Sequence, residues 1–362
     1  MSAPAVPGAA PTRTAFVPLR IAALDRLCDD AVAVTLDVPT EVADRFAFRP
    51  GQHVTVRRVV DGTDHRRSYS VCAPVRGPLR IGVRRVTGGV VSGWLVDEAT
   101  AGDVVEVQRP EGRFTLDPSS GGRHVLVAAG SGITPVLSIA GSLLQESEAR
   151  VTVVYGNRRS TSTMFLEDLA DLKDRYPARF DLVHVLSREP RDVDLFSGRL
   201  DGARLATILR TLVPWRDVDG YWLCGPIGMI EEHRDVLRGL GVPSSRVHTE
   251  LFHVDAPPPP VVHADELVDE DAAGVTLTLD GRTSTVTSPR SRTVLEAAQA
   301  TRPDVPFACR GGVCGTCRAR VLSGRVEMRR NFALEQDEVD QGFVLTCQAV
   351  PVTDEVAVDF DA

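Results

Sequence analysis

The stretch Cys309-Arg-Gly-Gly-Val-Cys314-Gly-Thr-Cys317 spaces three cysteines as C-x4-C-x2-C, and Cys347 follows after 29 intervening residues. Plant-type [2Fe-2S] sites have this spacing: a tight loop wraps the cluster, so that thiolates reach iron and backbone N–H groups point at sulfur. Gly311, Gly312 and Gly315 are expected to supply the unusual backbone angles such a loop needs. Four thiolates also suit a structural Zn²⁺, but zinc ribbons usually arrange their ligands as two C-x2-C knuckles. The iron-sulfur reading is therefore favoured, with Cys309, Cys314, Cys317 and Cys347 as ligands. A plant-type cluster carries one electron at a potential of about −400 mV, so a donor able to reduce it is expected in the rest of the chain.

Around the loop, the alternating runs Val275–Leu279 and Thr283–Val286 are joined by Asp280-Gly281, a strong hairpin signal. A helix is expected over Thr293–Ala300 and short strands over Ala319–Leu322, Arg325–Met328, Val344–Cys347 and Val356–Phe360. Residues 274–362 thus form a compact α+β module with one helix on a mixed sheet. Before it, residues 255–273 contain APPPP and an acidic run and read as an extended linker. Residues 1–15 are rich in Ala and Pro, lack the apolar core of a secretory signal, and read as a flexible tail.

The front part changes pattern at Asp117–Gly122, DPSSGG. Upstream, in residues 16–118, six short strands are expected at Leu19–Leu24, Val32–Val38, His53–Arg57, Ser68–Cys72, Leu79–Arg85 and Val104–Gln108, which suits an antiparallel β-barrel. Downstream, in residues 119–254, Val125–Ala129, Val151–Tyr155, Phe180–Leu186 and Tyr221–Cys224 alternate with helical segments, the sign of a doubly wound parallel sheet. The expected architecture is multidomain, α+β and α/β.

Composition narrows the function. At 362 residues, with 43% hydrophobic and 25% charged side chains, the chain suits several soluble globular domains. A net charge of −8 with scattered basic residues argues against nucleic acid, and no apolar run reaches membrane-spanning length. An odd count of seven cysteines, four of them at metal-site spacing, argues against a secreted disulfide scaffold and for a reducing, cytoplasmic setting. Cys28 and Cys72 read as small packed residues.

Four further motifs point to a flavin and a nicotinamide nucleotide. In Arg67-Ser68-Tyr69-Ser70, alternation puts Arg67 and Tyr69 on one side of a strand. A cation for a pyrophosphate, a ring to stack on an isoalloxazine and a hydroxyl for its reactive nitrogen then lie together. Gly88-Gly89-Val90-Val91-Ser92 reads as a glycine turn entering a helix, a natural phosphate site. Gly130-Ser-Gly132-Ile-Thr134-Pro135 lies between the first parallel strand and its helix, where a dinucleotide pyrophosphate binds; Pro135 departs from the generic Rossmann pattern and favours a flavoprotein-reductase variant. After the second strand, Arg158 and Arg159 stand where an acidic residue would grip a ribose 2′-hydroxyl, favouring NADPH with NADH as the alternative. Cys224-Gly225-Pro226 ends a further parallel strand, and Glu250-Leu-Phe252 ends the domain.

With these motifs in this order, residues 16–362 resemble the ferredoxin-NADP reductase superfamily with a plant-type ferredoxin module fused behind it. The resemblance implies a β-barrel flavin domain, a parallel-sheet nucleotide domain and a β-grasp-type ferredoxin domain. It also implies FAD on Arg67, Ser68, Tyr69 and Ser70, with its pyrophosphate on Gly89, Val90, Val91 and Ser92. The nucleotide would lie on Gly130, Gly132, Thr134 and Pro135, with Cys224, Gly225 and Pro226 beside the nicotinamide ring. Glu250 would stand near the hydride-transfer site and Phe252 would shield the flavin face. Pro110, Gly112 and Phe114 resemble the family's P-x-G-x-F segment. The segments YGNRRSTSTMF, DLFSGRLDG, NFALEQDEVDQGFVLTCQA and VAVDFDA resemble those of an oxygenase reductase. That likeness implies di-iron oxygenase subunits as partners, with the reductase of a steroid, alkane or aromatic-ring hydroxylase as the alternative. An iron-sulfur carrier or sensor without catalytic activity is the reading from another class.

Overall fold

The structure, a computed structural model, describes residues 15–253 and 271–362. The tail and the linker expected from sequence lie almost wholly outside the described residues. The chain divides near residue 255 into two compact units.

The first unit begins with six strands: β1 (Val17–Cys28), β2 (Ala31–Asp37), β3 (His53–Val60), β4 (Thr63–Ser70), β5 (Leu79–Arg84) and β6 (Val104–Val107). They form one antiparallel sheet in the order β4-β3-β6-β1-β2-β5. The sheet curls shut because the chain leaving β4 bridges Val71 to Ile81 of β5. Helix α1 (Val90–Asp97) lies between β5 and β6.

Five parallel strands follow: β7 (Arg123–Ala129), β8 (Arg150–Asn157), β9 (Phe180–Leu186), β10 (Gly220–Pro226) and β11 (Val247–His253), ordered β11-β10-β7-β8-β9. Helices α2 (Ile133–Glu146), α3 (Leu166–Arg175), α4 (Gly202–Leu212) and α5 (Ile227–Gly239) connect or flank them. The chain runs outward from β7 through β8 to β9, then returns to the other side of β7. Ligands of such sheets collect beyond the carboxyl ends of the strands at this reversal, here between β7 and β10.

Helix α2 fixes the barrel to the sheet. Its residues from Ile133 to Leu144 are all buried, and each fully buried Ile or Leu among them contributes roughly 1.5–3 kcal/mol. Both of its buried serines bond to the barrel's backbone, and Ser142 Oγ also donates to Ser138 O within the helix. Ser138 Oγ donates to Ala73 O at 2.7 Å, and Ser142 Oγ accepts from Val75 N at 2.8 Å. One hydrophobic core therefore runs from Cys28, Cys72 and Phe114 of the barrel through Ile139 of α2 to Leu126 and Tyr155 of the parallel sheet. Phe114, in the P-x-G-x-F segment, meets Trp222 of β10 edge-on with ring centroids 5.3 Å apart.

The second unit is a five-stranded mixed sheet. Strands β12 (Ala272–Leu279), β13 (Arg282–Pro289), β14 (Arg318–Ser323), β16 (Phe343–Leu345) and β18 (Glu355–Asp359) are ordered β13-β12-β18-β14-β16, and β15 (Val326–Met328) pairs with β17 (Ala349–Pro351). Alternate residues of β12 (Ala273, Val275, Leu277 and Leu279) face the core. The β12–β13 turn has Asp280 at φ 52° and Gly281 at φ 69°, the left-handed pair that matches strand twist. Helix α6 (Val294–Thr301) starts at a reciprocal cap: Thr293 Oγ1 accepts from Glu296 N at 3.3 Å, and Glu296 accepts from Thr293 N at 2.8 Å.

Three expectations change. Strand β12 begins at Ala272, two residues inside the stretch read as linker. The last strand before Cys347 is Phe343–Leu345, so that cysteine stands in the turn beyond it. A second short helix, α7 (Gln336–Asp340), joins the one expected; at five residues it is too short to leave an amphipathic period. Among the described residues no helix is long and apolar enough to cross a membrane.

Gly82 of β5 tests the barrel-to-sheet contact. A Cβ there would lie 2.4 Å from Thr134 Cγ2 and 2.8 Å from Phe165 Cε2, and both neighbours are buried. Gly82→Ala should cost about 2 kcal/mol or more in urea unfolding. Gly93→Ala, in open space within α1, should be neutral or stabilising by up to about 1 kcal/mol. Equal effects of the two would contradict the contact.

Candidate functional site

The cysteine loop leaves β13 and α6 and returns into β14. Its turns need left-handed backbone at Gly312 (φ 79°) and Gly315 (φ 70°), and at Arg310 (φ 52°) rather than at Gly311. That winding aims two amides at one sulfur: Gly311 N donates to Cys309 Sγ at 3.3 Å and Cys314 N at 3.4 Å. Cys309 is pushed down to about 5, first by the Cys314 thiol donating to it and then, against burial, by the amides of Val313, Gly311 and Cys314. Cys347 is lowered in the same way by the Cys317 thiol, and Gln348 Nε2 lies 3.6 Å from its sulfur. The four thiols thus meet as two pairs, Cys309 with Cys314 and Cys317 with Cys347. Among the described residues no group of three or more such side chains is arranged around a single ion. Two pairs, with amides that favour thiolate, fit a two-iron cluster taking two sulfurs per iron.

In the barrel, Arg67-Ser68-Tyr69-Ser70 forms the end of β4. Arg67 and Tyr69 share a face, and the Arg67 charge acts on the phenol, whose ionisation burial pushes far up. Ser70 is buried opposite His53 of β3. Ser68 Oγ is buried without a hydrogen-bond partner among the described residues, as is Thr55 Oγ1 directly across the sheet. Such hydroxyls suit a polar ligand. Next to them, Gly88 (φ 72°) turns the chain into α1. Gly89 caps that helix with no side-chain partner, leaving its first amides available to an anion. Ser92 Oγ is used locally instead, accepting from Val86 N at 3.1 Å. These residues fit a flavin nucleotide.

On the parallel sheet, Gly130 (φ 55°) begins the turn after β7. Gly132 lies so close to β10 that a Cβ would stand 2.2 Å from Cys224 O. The turn is tied to β8 by Tyr155 OH, which donates to Gly130 O at 2.8 Å. Thr134 and Pro135 are buried in the first turn of α2. Across the switch point, Cys224 pairs in register with Glu250 of β11, and Gly225 and Pro226 lead into α5.

These two halves meet. Ser70 Oγ lies 3.5 Å from Glu250 Oε2, and His53 Nδ1 lies 4.0 Å from Glu250 Oε1. His53 Nε2 in turn lies 3.8 Å from Glu111 Oε1, whose side chain is 33% exposed. Burial raises Glu250 to about 7, against the lowering effect of His53 and Ser70. Burial, reinforced by Glu250, holds Cys224 well above the usual thiol range, so it is a neutral thiol. Phe252, two residues on, packs against the shared core. A hydroxyl, a thiol and a carboxyl that titrates near neutrality thus converge where barrel and sheet join, with a line of groups leading outward through His53 to Glu111. His53 carries no motif and Glu111 is an unspecified position within P-x-G-x-F, and only the hairpin register brings His53 opposite Ser70.

Arg158 and Arg159 stand apart from this cluster, exposed beyond the end of β8. No carboxylate is expected there from the sequence, yet Glu189, from the loop after β9, accepts from both Ser160 N at 2.8 Å and Ser160 Oγ at 2.9 Å. Strand pairing, which no local motif reports, supplies it.

Comparison with known proteins follows the same division. Residues 18–116 match the oxidoreductase FAD-binding domain, 126–235 the oxidoreductase NAD-binding domain, and 277–352 the 2Fe-2S iron-sulfur cluster binding domain. The chain is 40% identical over 354 residues to a component of the 1,2-phenylacetyl-CoA epoxidase of Escherichia coli (strain K12), covering 96% of this chain and 99% of that one. It is 35% identical over 349 residues to the ferredoxin reductase component of 3-ketosteroid-9-alpha-monooxygenase from Rhodococcus rhodochrous, covering 94% and 96%. Among solved structures it is similar to phthalate dioxygenase reductase, with a TM-score of 0.58 and 26% identity over 95% of this chain and 98% of that one.

Glu250 makes stability depend on pH in a defined direction. Its folded-state value near 7 lies above its ordinary 4.5, so the unfolded chain releases this proton first as pH rises. Wild type should therefore lose stability relative to Glu250→Gln between pH 4.5 and 7, by at most on the order of 3 kcal/mol, and the difference should level off above. Urea unfolding of both proteins at pH 5 and pH 8 measures this. A difference that does not grow with pH would mean that Glu250 titrates normally.

Proposed function

The chain belongs to the family of NAD(P)H-dependent oxidoreductases that carry FAD and a C-terminal 2Fe-2S domain and act as reductase components of oxygenases, and on that premise we propose the route and the partner of its electrons. The donor is NADPH, and the acceptor is the di-iron oxygenase of a phenylacetyl-CoA 1,2-epoxidase in phenylacetate degradation. The observation that carries the route is the convergence of Ser70, Cys224 and Glu250 at the joint between barrel and parallel sheet. The choice of oxygenase is supported by the 40% identity along 96% of the chain. None of the seven cysteines is joined in a disulfide, which suits a cytoplasmic protein.

FAD, when bound, takes two electrons as hydride and releases them one at a time to a cluster that holds one. Everything else asked of the chain is positioning, because orientation of the nicotinamide against the flavin is the main requirement. Arg67, Ser68 and Tyr69 would hold the flavin, and the amides of Gly89, Val90, Val91 and Ser92 its pyrophosphate. Gly130, Gly132, Thr134 and Pro135 receive the nucleotide's pyrophosphate, and Gly132 must be glycine because Cys224 O fills the space of a side chain. Cys224, Gly225 and Pro226 would lie beside the nicotinamide ring. The Ser70 hydroxyl would orient the flavin edge, and it takes its own orientation from Glu250. With a pKa of about 7, Glu250 is able to hold or release a proton at working pH, and His53 and Glu111 continue that line outward. Phe252 would shield the flavin face that the nicotinamide must reach. Cys309, Cys314, Cys317 and Cys347 hold the cluster, the exit point for single electrons.

Ser70→Ala should slow reduction of the bound flavin by NADPH about tenfold or more, read as loss of flavin absorbance after rapid mixing. An unchanged rate would remove Ser70 from the site. For the partner, oxidation of NADPH should be coupled to product when the chain is mixed with phenylacetyl-CoA oxygenase subunits. Equal or better coupling to a steroid oxygenase would move the assignment there.

A further inference from the structure

We infer that Gln348 is a positioning residue for the cluster: its buried side-chain amide donates to Cys347 Sγ and to Arg310 O, and so raises the potential at which the four-cysteine site accepts an electron. The inference rests on reading Cys309, Cys314, Cys317 and Cys347 as the ligands of a 2Fe-2S cluster.

Gln348 follows Cys347 directly and is 7% exposed. Its backbone is held from two sides: Gln348 N donates to Leu345 O at 2.8 Å, and Arg329 N donates to Gln348 O at 3.0 Å. The side chain runs over the cysteine loop, where a Cβ on Gly312 would lie 3.1 Å from Gln348 Cγ. There Nε2 lies 2.9 Å from Arg310 O and 3.6 Å from Cys347 Sγ. A side-chain amide nitrogen carries two hydrogens, and the carbonyl and the sulfur are their acceptors. Burying an amide is costly unless its N–H groups are used, and a neutral thiol is a weak acceptor. The arrangement therefore suits a sulfur that carries negative charge.

The bond to Arg310 accounts for the winding of the loop. Arg310 takes a left-handed φ of 52° although it is not glycine, a conformation that persists only where its surroundings fix it. Gln348 holds its carbonyl, Gln299 Oε1 accepts from its Nη2 at 2.8 Å, and its guanidinium lies 4.6 Å from the Phe307 ring centroid. That winding aims the amides of Gly311 and Cys314 at Cys309. The bond to Cys347 bears on the redox step. An electron passed from the reduced flavin makes and breaks no bond at the cysteines but leaves their sulfurs more negative, so a donor to sulfur favours the reduced form. The amide of Gly312 also faces Cys347. Because Cys347 and Gln348 are both buried, the water that would replace a lost donor is excluded.

Gln348→Met keeps the volume and removes the donor, and Gln348→Glu puts a negative charge in its place. The readout is the midpoint potential of the cluster in the full-length, flavin- and iron-loaded protein, from anaerobic redox titration followed by the electron spin signal. Gln348→Met should lower the equilibrium constant for reduction about tenfold, a fall of about 59 mV for one electron, and Gln348→Glu should lower it at least as far. Gln336→Met, which removes an amide bonded to Asp340 in α7, should leave the constant within about twofold of wild type. A glutamine that only supports the fold would cost stability or iron content without moving the potential, so iron per chain is measured on the same samples. If both Gln348 variants stay within about twofold of wild type, or rise above it, the inference is overturned. Wild type gives a second reading that needs no substitution. With heavy nitrogen in its glutamine side-chain amides, pulsed electron spin resonance of the reduced protein should show coupling to such a nitrogen, and no coupling would equally overturn the inference. Wild type that shows no cluster spin on reduction would overturn the cluster reading itself, and the inference with it; that result is distinguishable because it appears before any substitution or labelling.

Discussion

Ser70 and Glu250 are 180 positions apart in sequence and 3.5 Å apart in the fold, and much of the first unit serves to hold them there. Ser70 ends a barrel strand; Glu250 lies on the edge strand of a parallel sheet. Two separately formed layers could not keep a hydroxyl and a carboxyl in register without a common core. That core is supplied by α2, buried from Ile133 to Leu144 and hydrogen-bonded through Ser138 and Ser142 to the backbone of the barrel. The close approaches at Gly82 and Gly132 leave little freedom at the joint, as a site that works by orientation requires. The same closeness withdraws water from Glu250 and lifts its pKa toward neutrality, so position and proton affinity have one cause.

The second unit solves a different problem. Its cysteine loop makes little regular structure and instead spends backbone amides on sulfur, as Gly311 N and Cys314 N do on Cys309. Left-handed residues at Arg310, Gly312 and Gly315 turn those amides inward. The thiols consequently pair two by two before any metal is considered, and a cluster of two irons matches that pairing.

Legibility in sequence followed the range of the interactions. The Asp280-Gly281 hairpin and the alternation of β12 are decided within a few residues and are readable from the chain; the helix after them, expected to begin at Thr293, is instead capped by that residue. The cysteine spacing is local as well, though which loop residues take positive φ was not, since Arg310 adopts the angle expected of Gly311. Strand order, by contrast, is set by tertiary packing. His53 joins Ser70 and Glu250 through antiparallel register, and Glu189 reaches Ser160 because β9 lies beside β8. Neither position has a local pattern to announce it. Residues that carry motifs are therefore legible along the chain, and the charged neighbours that modulate them are not.

The central claim is that one chain takes a two-electron donor in at the Ser70–Glu250 joint and gives single electrons out at the four cysteines. The most direct measurement is anaerobic mixing of the flavin- and iron-loaded protein with NADPH, with flavin absorbance and the electron spin signal of the reduced cluster followed on the same samples. The account predicts that the flavin bleaches first and that a spin signal then grows at its expense, to at most about one spin per chain. Flavin that bleaches fully while no cluster spin ever appears would contradict it.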